Sequence, residues 1–136
     1  MIGFWLYMLL VDCITPVVMI LFGLQFLRNP PKQVNKVFGY RTAMSMKNQD
    51  TWAFAHRYCG RIWFLLGILL LPVSALALLP FWHQEVQIIG TAGGIICVAQ
   101  LLFMVCSAIP VELALRANFD ASGRRKKPPT NHSSSL

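Results

Sequence analysis

Three long runs without charge dictate what this chain can fold into. Ile2 to Leu27 carries a single charged side chain, Asp12, while Ile62 to Trp82 and Val86 to Val111 carry none. Each run supplies the ~20 residues that a helix needs to cross the hydrocarbon core of a bilayer. A single water-soluble core has no use for three of them, and charged residues make up 12% of the chain where soluble domains carry about 25%. The expected fold class is an all-α polytopic membrane protein with three transmembrane helices, spanning about 2–27, 62–82 and 86–111. The first run lacks a basic leading segment and a small-x-small cleavage site, so it reads as a retained span and not a signal peptide.

Basic residues fix the expected orientation. All 12 Lys and Arg lie between residues 28 and 61 or from Arg116 onward, and none lies N-terminal to the first span or in the turn at 83–85. With three spans, those two segments share one side, and the positive-inside rule makes it cytoplasmic, giving N-out and C-in. The net charge of +7 therefore reports topology, and no nucleic-acid partner is expected. Cys13, Cys59, Cys97 and Cys106 show no CxxC spacing, and His56, His83 and His132 are scattered. Neither a disulfide frame nor a metal site is expected.

Between the first two spans, a cytoplasmic loop over 32–61 contains NKVFGYRTAMSMKNQDTW, residues 35–52. Arg28-Asn29-Pro30-Pro31 ends the first helix, because proline disfavours helix in the residue before it. A short interfacial helix is expected around Gln33 to Phe38. Asn48 is placed to cap the next helix, with Asp50 in its positive first turn. That helix runs straight into the second span, where Pro72 is expected to kink it. Within the loop, Gly39 permits a tight turn, Tyr40 and Trp52 suit the headgroup level, and Arg41 can fork onto a carboxylate, a lipid phosphate or helix-end carbonyls. Thr42, Ser45 and Asn48 can bond loop backbone. These residues form the candidate site, with Arg41 expected as its principal anchor.

Three further features stand out. Gly90 and Gly94 form a GxxxG pair, which lets helices approach closely within the chain or in a homo-oligomer. The tail from Ala121, ASGRRKKPPTNHSSSL, has no apolar periodicity and is expected to be disordered; residues 116–136 are expected to form a basic tail that either adheres to anionic headgroups or docks a cytosolic partner. Asp12 lies ten residues into its helix, about 15 Å deep on helical rise. No basic residue is available at that depth, so it must be protonated, solvated, or hydrogen-bonded to a group such as Gln100, Thr91, Ser74 or Ser107. Asp12 and Gln100 are thus either a functional intramembrane pair or interhelical polar glue.

The spacing Asn35-x-x-x-Gly39-Tyr40-Arg41-Thr42, then Ser45-x-x-Asn48 and Trp52, with one apolar run before and two after, resembles the SdpI family of bacterial membrane proteins. The likeness covers most of residues 1–115 and leaves the basic tail outside it. It implies a three-span module in the bacterial cytoplasmic membrane that gives immunity against a secreted, membrane-active peptide toxin. The best-known family member also recruits a cytosolic transcriptional repressor, and its chain is longer, with spans ahead of the signature domain. No GxSxG, GxxxxGK[ST] or HExxH motif and no paired carboxylates occur, so no catalytic residue, enzyme activity or cofactor is expected. The alternative is an oligomeric small transporter, or an accessory subunit of a larger membrane complex.

Overall fold

A computed structural model describes residues 2–35 and 39–126. Helix α1 is Ile2–Arg28, α2 is Gln49–Leu78 with a 3-10 turn at Leu79–Phe81, α3 is Val86–Cys106 and α4 is Ala108–Asn118. Three helical stretches are long and apolar enough to cross a membrane: Ile2–Arg28, Gln49–Phe81 and Val86–Asn118. No named strand occurs among the described residues. Exposed side chains such as Leu10, Leu21, Leu76, Ile95 and Val105 point outward along these spans, as a lipid-facing surface requires.

The third span continues past its expected end at residue 111. It breaks at Ser107 and resumes as α4. Pro110 explains the break: it has no N–H to offer the carbonyl of Cys106, and its ring crowds that carbonyl. Trp63 Nε1 donates to Ser107 Oγ at 2.8 Å, fastening the break to α2. Pro16 and Pro72, by contrast, lie inside unbroken helices.

What Pro16 releases is recovered by a neighbour. Its missing N–H leaves the carbonyl of Asp12, four residues earlier, without its helical donor. Gln100 Nε2 donates to that oxygen at 2.6 Å and to Ser74 Oγ at 2.7 Å, so one amide joins all three spans. The same logic operates at the far end. Trp82 N bonds back to Leu79 in the 3-10 turn, which frees the Leu78 carbonyl, and Trp5 Nε1 donates to it at 3.0 Å. Backbone groups left open inside a bilayer must be satisfied by neighbouring helices, and these two side chains do so.

Glycines set the approach of α1 to α2. A Cβ on Gly23 would lie 2.6 Å from Phe64 N, and one on Gly60 would lie 2.9 Å from Gly23 O. Gly67 is closed off by the Pro16 carbonyl at 2.8 Å. Within the chain, Gly90 and Gly94 are not a close-packing pair: Gly90 only reaches ordinary contact with Phe4, and Gly94 meets no atom of the chain within 4 Å. It is Gly93, one position earlier, that packs against Met8 and Asp12.

Two apolar clusters cap the bundle. Trp5, Met8, Leu78 and Ile89 form one at the end without basic residues. Phe26, Ala55, Cys59, Val111, Leu115 and Phe119 form the other beneath the loop. Order also persists beyond Ala121, where the sequence led us to expect disorder. Residues 119–125 fold back in a turn closed by a Phe119–Arg125 bridge, and the described chain ends at Lys126. Residues 33–35 are not helical; the remainder of the interfacial helix expected over 33–38, and the tail from Lys127, lie outside the described residues.

Candidate functional site

The loop between α1 and α2 is held from within by a chain of hydrogen bonds. Gly39 adopts φ +115°, a conformation that side chains disfavour, and a Cβ there would collide with His56. That turn delivers the Tyr40 N–H to His56 Nε2 at 2.9 Å. With Nε2 accepting, the ring proton sits on Nδ1, which donates to the Trp52 carbonyl at 2.8 Å. His56 is fully buried, packed between a tilted Trp52 ring at 4.3 Å and an edge-on Phe26 ring at 4.8 Å. Its two nitrogens are therefore committed to backbone groups. Trp52 is also fully buried, not interfacial, and its Nε1 donates to the Pro31 carbonyl at 2.7 Å.

Glu112 of α4 is the second anchor. One of its oxygens, Oε2, accepts from Tyr40 Oη at 2.6 Å and from Thr42 Oγ1 at 2.8 Å. Burial and the adjoining Glu112 carboxylate raise the Tyr40 phenol well above its ordinary range. Tyr40 thus points inward to α4 and not toward headgroups. Ser45, fully buried, closes the turn: its Oγ accepts from Thr42 N at 2.9 Å and donates toward the Tyr40 carbonyl at 3.0 Å.

Asn48 and Thr51 form a reciprocal capping box at the start of α2, satisfying two donors that a helix start leaves open. Asn48 Nδ2 also donates to the Gly123 carbonyl at 2.7 Å, which ties the C-terminal turn to the same site. Asn35 donates to the Gln33 carbonyl at 3.1 Å. Arg41 stands apart. Its side chain is exposed and makes no hydrogen bond or ion pair with the described residues. The loop is anchored by Tyr40 and Thr42 on Glu112, with Arg41 turned to the outside.

Between the loop, α4 and the C-terminal turn lies a surface cavity of about 530 Å³, bordered by Met44, Lys47, Glu112, Arg116, Phe119 and Lys126. Deeper in the bundle, Asp12, fully buried, accepts from Cys97 Sγ–H at 2.9 Å through Oδ1. Its Oδ2 and the Oε1 of Gln100 are buried without a hydrogen-bond partner. Among the described residues, no three of His, Cys, Asp and Glu gather as a metal site would require.

Sequence reasoning found the loop residues but missed two of their partners. Glu112, just past the third apolar run, carried no motif that singled it out, and His56 figured as a scattered histidine. The position of His56, one helical turn past Trp52 and so on the same face of α2, was a usable signal. For Asp12 and Gln100 the signal was Pro16, which marks the Asp12 carbonyl as open.

Comparison with known proteins gives one family. The model of the SdpI/YfhL protein family matches residues 32–111, a range that contains the whole loop signature. A curated relative from Bacillus subtilis (strain 168), named "Uncharacterized protein YfhL", is 38% identical over 58 residues, which is 43% of this chain. The match covers 53% of that protein, so the chain spans about half the length of the curated relative. No solved structure matches the chain.

Proposed function

The chain belongs to the SdpI/YfhL protein family, and on that footing we propose that it is an integral membrane immunity or stress-resistance factor, protecting a bacterial cytoplasmic membrane against a membrane-active peptide toxin. The observation that carries this reading is the loop itself, a signature folded into one hydrogen-bonded surface across the ends of the spans. The hydroxyls and imidazole of that network are committed to holding the loop's shape, which suits a recognition surface. In the N-out, C-in orientation favoured by the basic residues, the loop faces the cytoplasm. There its outer side chains can also meet a cytosolic transcriptional repressor.

An apolar peptide would need a face within the bilayer. Helix α3 buries only Ile89, Gly93 and Gln100, while Ile95, Val98, Leu102 and Val105 stand exposed along it. Expression in a toxin-sensitive strain tests the proposal: survival should rise, and should fall back when Glu112→Ala loosens the loop. Unchanged survival of cells that carry the inserted protein would count decisively against immunity.

A second reading rests on Asp12. A buried acid with one unpartnered oxygen, next to an unpartnered Gln100 Oε1, is what a transport path can use. Three spans cannot enclose such a path alone, so an oligomeric transporter or accessory subunit is required. A strict monomer by native mass measurement in mild detergent, with Asp12→Asn leaving protection unchanged, removes this reading.

A further inference from the structure

Arg57 and Arg61 lie one turn apart on α2, both exposed, and neither guanidinium has a hydrogen bond or ion pair with the described residues. Basic residues at a span end are ordinarily explained by topology. The third arginine at this place is not, because it comes from the other end of the chain and is held by contacts of its own. Arg125 Nη2 and Nε donate to the Asp50 carboxylate at 3.1 and 3.3 Å. Its guanidinium carbon lies 4.8 Å above the centre of the Phe119 ring, and its backbone pairs with Phe119. Together Arg57, Arg61 and Arg125 line one surface cavity of about 370 Å³, along with Phe54, Tyr58 and Asn118.

The depth of this cavity is as telling as its charge. Arg61 is the last charged residue of α2 before the run from Ile62 to Trp82. The cavity therefore lies at the charged end of the apolar run, which is where a span leaves the hydrocarbon core for the headgroup layer. Three guanidinium groups line it and, among the described residues, Asp50 is the one carboxylate paired with them, leaving an excess of positive charge. Among the described residues, neither the Tyr58 hydroxyl nor Arg125 Nη1 has a hydrogen-bond partner, so further donors are available. Guanidinium forks suit phosphate oxygens, and they bind better when pre-positioned.

We propose that this cavity is a binding site for the phosphodiester headgroup of an anionic phospholipid in the leaflet on the loop side. The phosphate lies among Arg57, Arg61 and Arg125, and the acyl chains run along α2 beyond Ile62. The C-terminal turn thereby completes a lipid site that α2 alone only half forms.

Native mass spectrometry of the 136-residue chain, released from membranes of equal phosphatidylglycerol and phosphatidylcholine content, tests this. The wild type should retain phosphatidylglycerol in preference to phosphatidylcholine. Arg57→Gln and Arg125→Gln should each weaken that preference about fivefold. Arg41→Gln removes an exposed charge on the same membrane face but outside the cavity, and should leave it unchanged. Millimolar inorganic phosphate should not displace the lipid. Equal retention of both lipids, an equal loss in Arg41→Gln, or displacement by free phosphate would each overturn the proposal.

Discussion

Gln100→Met is the substitution that most sharply tests how the three spans are joined. Gln100 Nε2 makes two bonds, to the Asp12 carbonyl at 2.6 Å and to Ser74 Oγ at 2.7 Å, and the side chain is almost fully buried. Methionine keeps the length and volume but donates nothing. Hydrogen bonds between membrane helices average about 0.6 kcal/mol and reach about 1.7, so the loss should total about 1–3 kcal/mol. Ser74→Ala removes one of the two bonds and should cost about 0.5–1 kcal/mol. The remainder belongs to the Asp12 carbonyl, which is open only because Pro16 has no N–H. Pro16→Ala restores that donor within α1. In a Pro16→Ala background the cost of Gln100→Met should therefore fall to that of Ser74→Ala alone. Reversible unfolding in mixed micelles, run as a double-mutant cycle, measures the difference. If Gln100→Met costs the same in both backgrounds, the proline-to-glutamine account of the bundle is wrong.

Four shorter predictions concern the loop and the helix contacts. Glu112→Ala removes the acceptor of both Tyr40 and Thr42, and should open the loop by about 2 kcal/mol, which is roughly 30-fold faster trypsin cleavage at exposed Arg41 and Lys47. Glu112→Gln keeps an acceptor oxygen and should lose about half as much. Gly39→Ala forces a side chain into φ +115° against His56, and the same cleavage should rise by the equivalent of about 1–3 kcal/mol. Gly23→Ala meets Phe64 N at 2.6 Å and should destabilise the bundle by about 1–3 kcal/mol, whereas Gly94→Ala, facing open space, should stay within about 0.5 kcal/mol. The Tyr40 phenol is raised in the folded loop, so above about pH 10 the unfolded form releases its proton first and the loop loses stability as pH rises. Tyr40→Phe should flatten that alkaline loss, seen as a smaller rise in cleavage rate.

The spans were legible because they depend only on run length and the absence of charge. The start of α2 was legible at Asn48 because capping is a local matter between neighbours in sequence. What the sequence concealed is long-range. Tyr40 and Thr42 are some 70 positions from Glu112, and nothing in the spacing of the loop announces a carboxylate on the fourth helix. Trp52 and Tyr40 read as headgroup residues because amphipathic rings usually sit there; here their polar ends are satisfied by Pro31 and Glu112 instead. Gly90 and Gly94 have the right spacing for close packing, yet within the chain it is Gly93 that meets α1, and a period cannot say which side of a helix meets its neighbour. The turn at 119–125 is mixed: Asp120 Oδ1 accepting from Ser122 N and Arg124 N, with Gly123 at φ +91°, is a local turn signal that went unread, while its ties to Asn48 and Asp50 are long-range and were invisible.

These particulars divide the loop into two surfaces with different tasks. Tyr40, Thr42 and Ser45 alternate with Arg41 and Ala43 along the chain, the first set turned inward and the second exposed. Every inward residue of that set bonds to the loop backbone, His56 or Glu112, so substitution there acts through the shape of the loop. Arg41, Ala43 and Lys47 make no side-chain hydrogen bond with the described residues, so substitution there changes what the surface presents while its shape stays fixed. Loss of protection on changing Glu112 or Gly39 therefore says only that the shape matters. Loss on changing Arg41→Gln, with trypsin sensitivity at Lys47 unaltered, would identify a contact with another molecule.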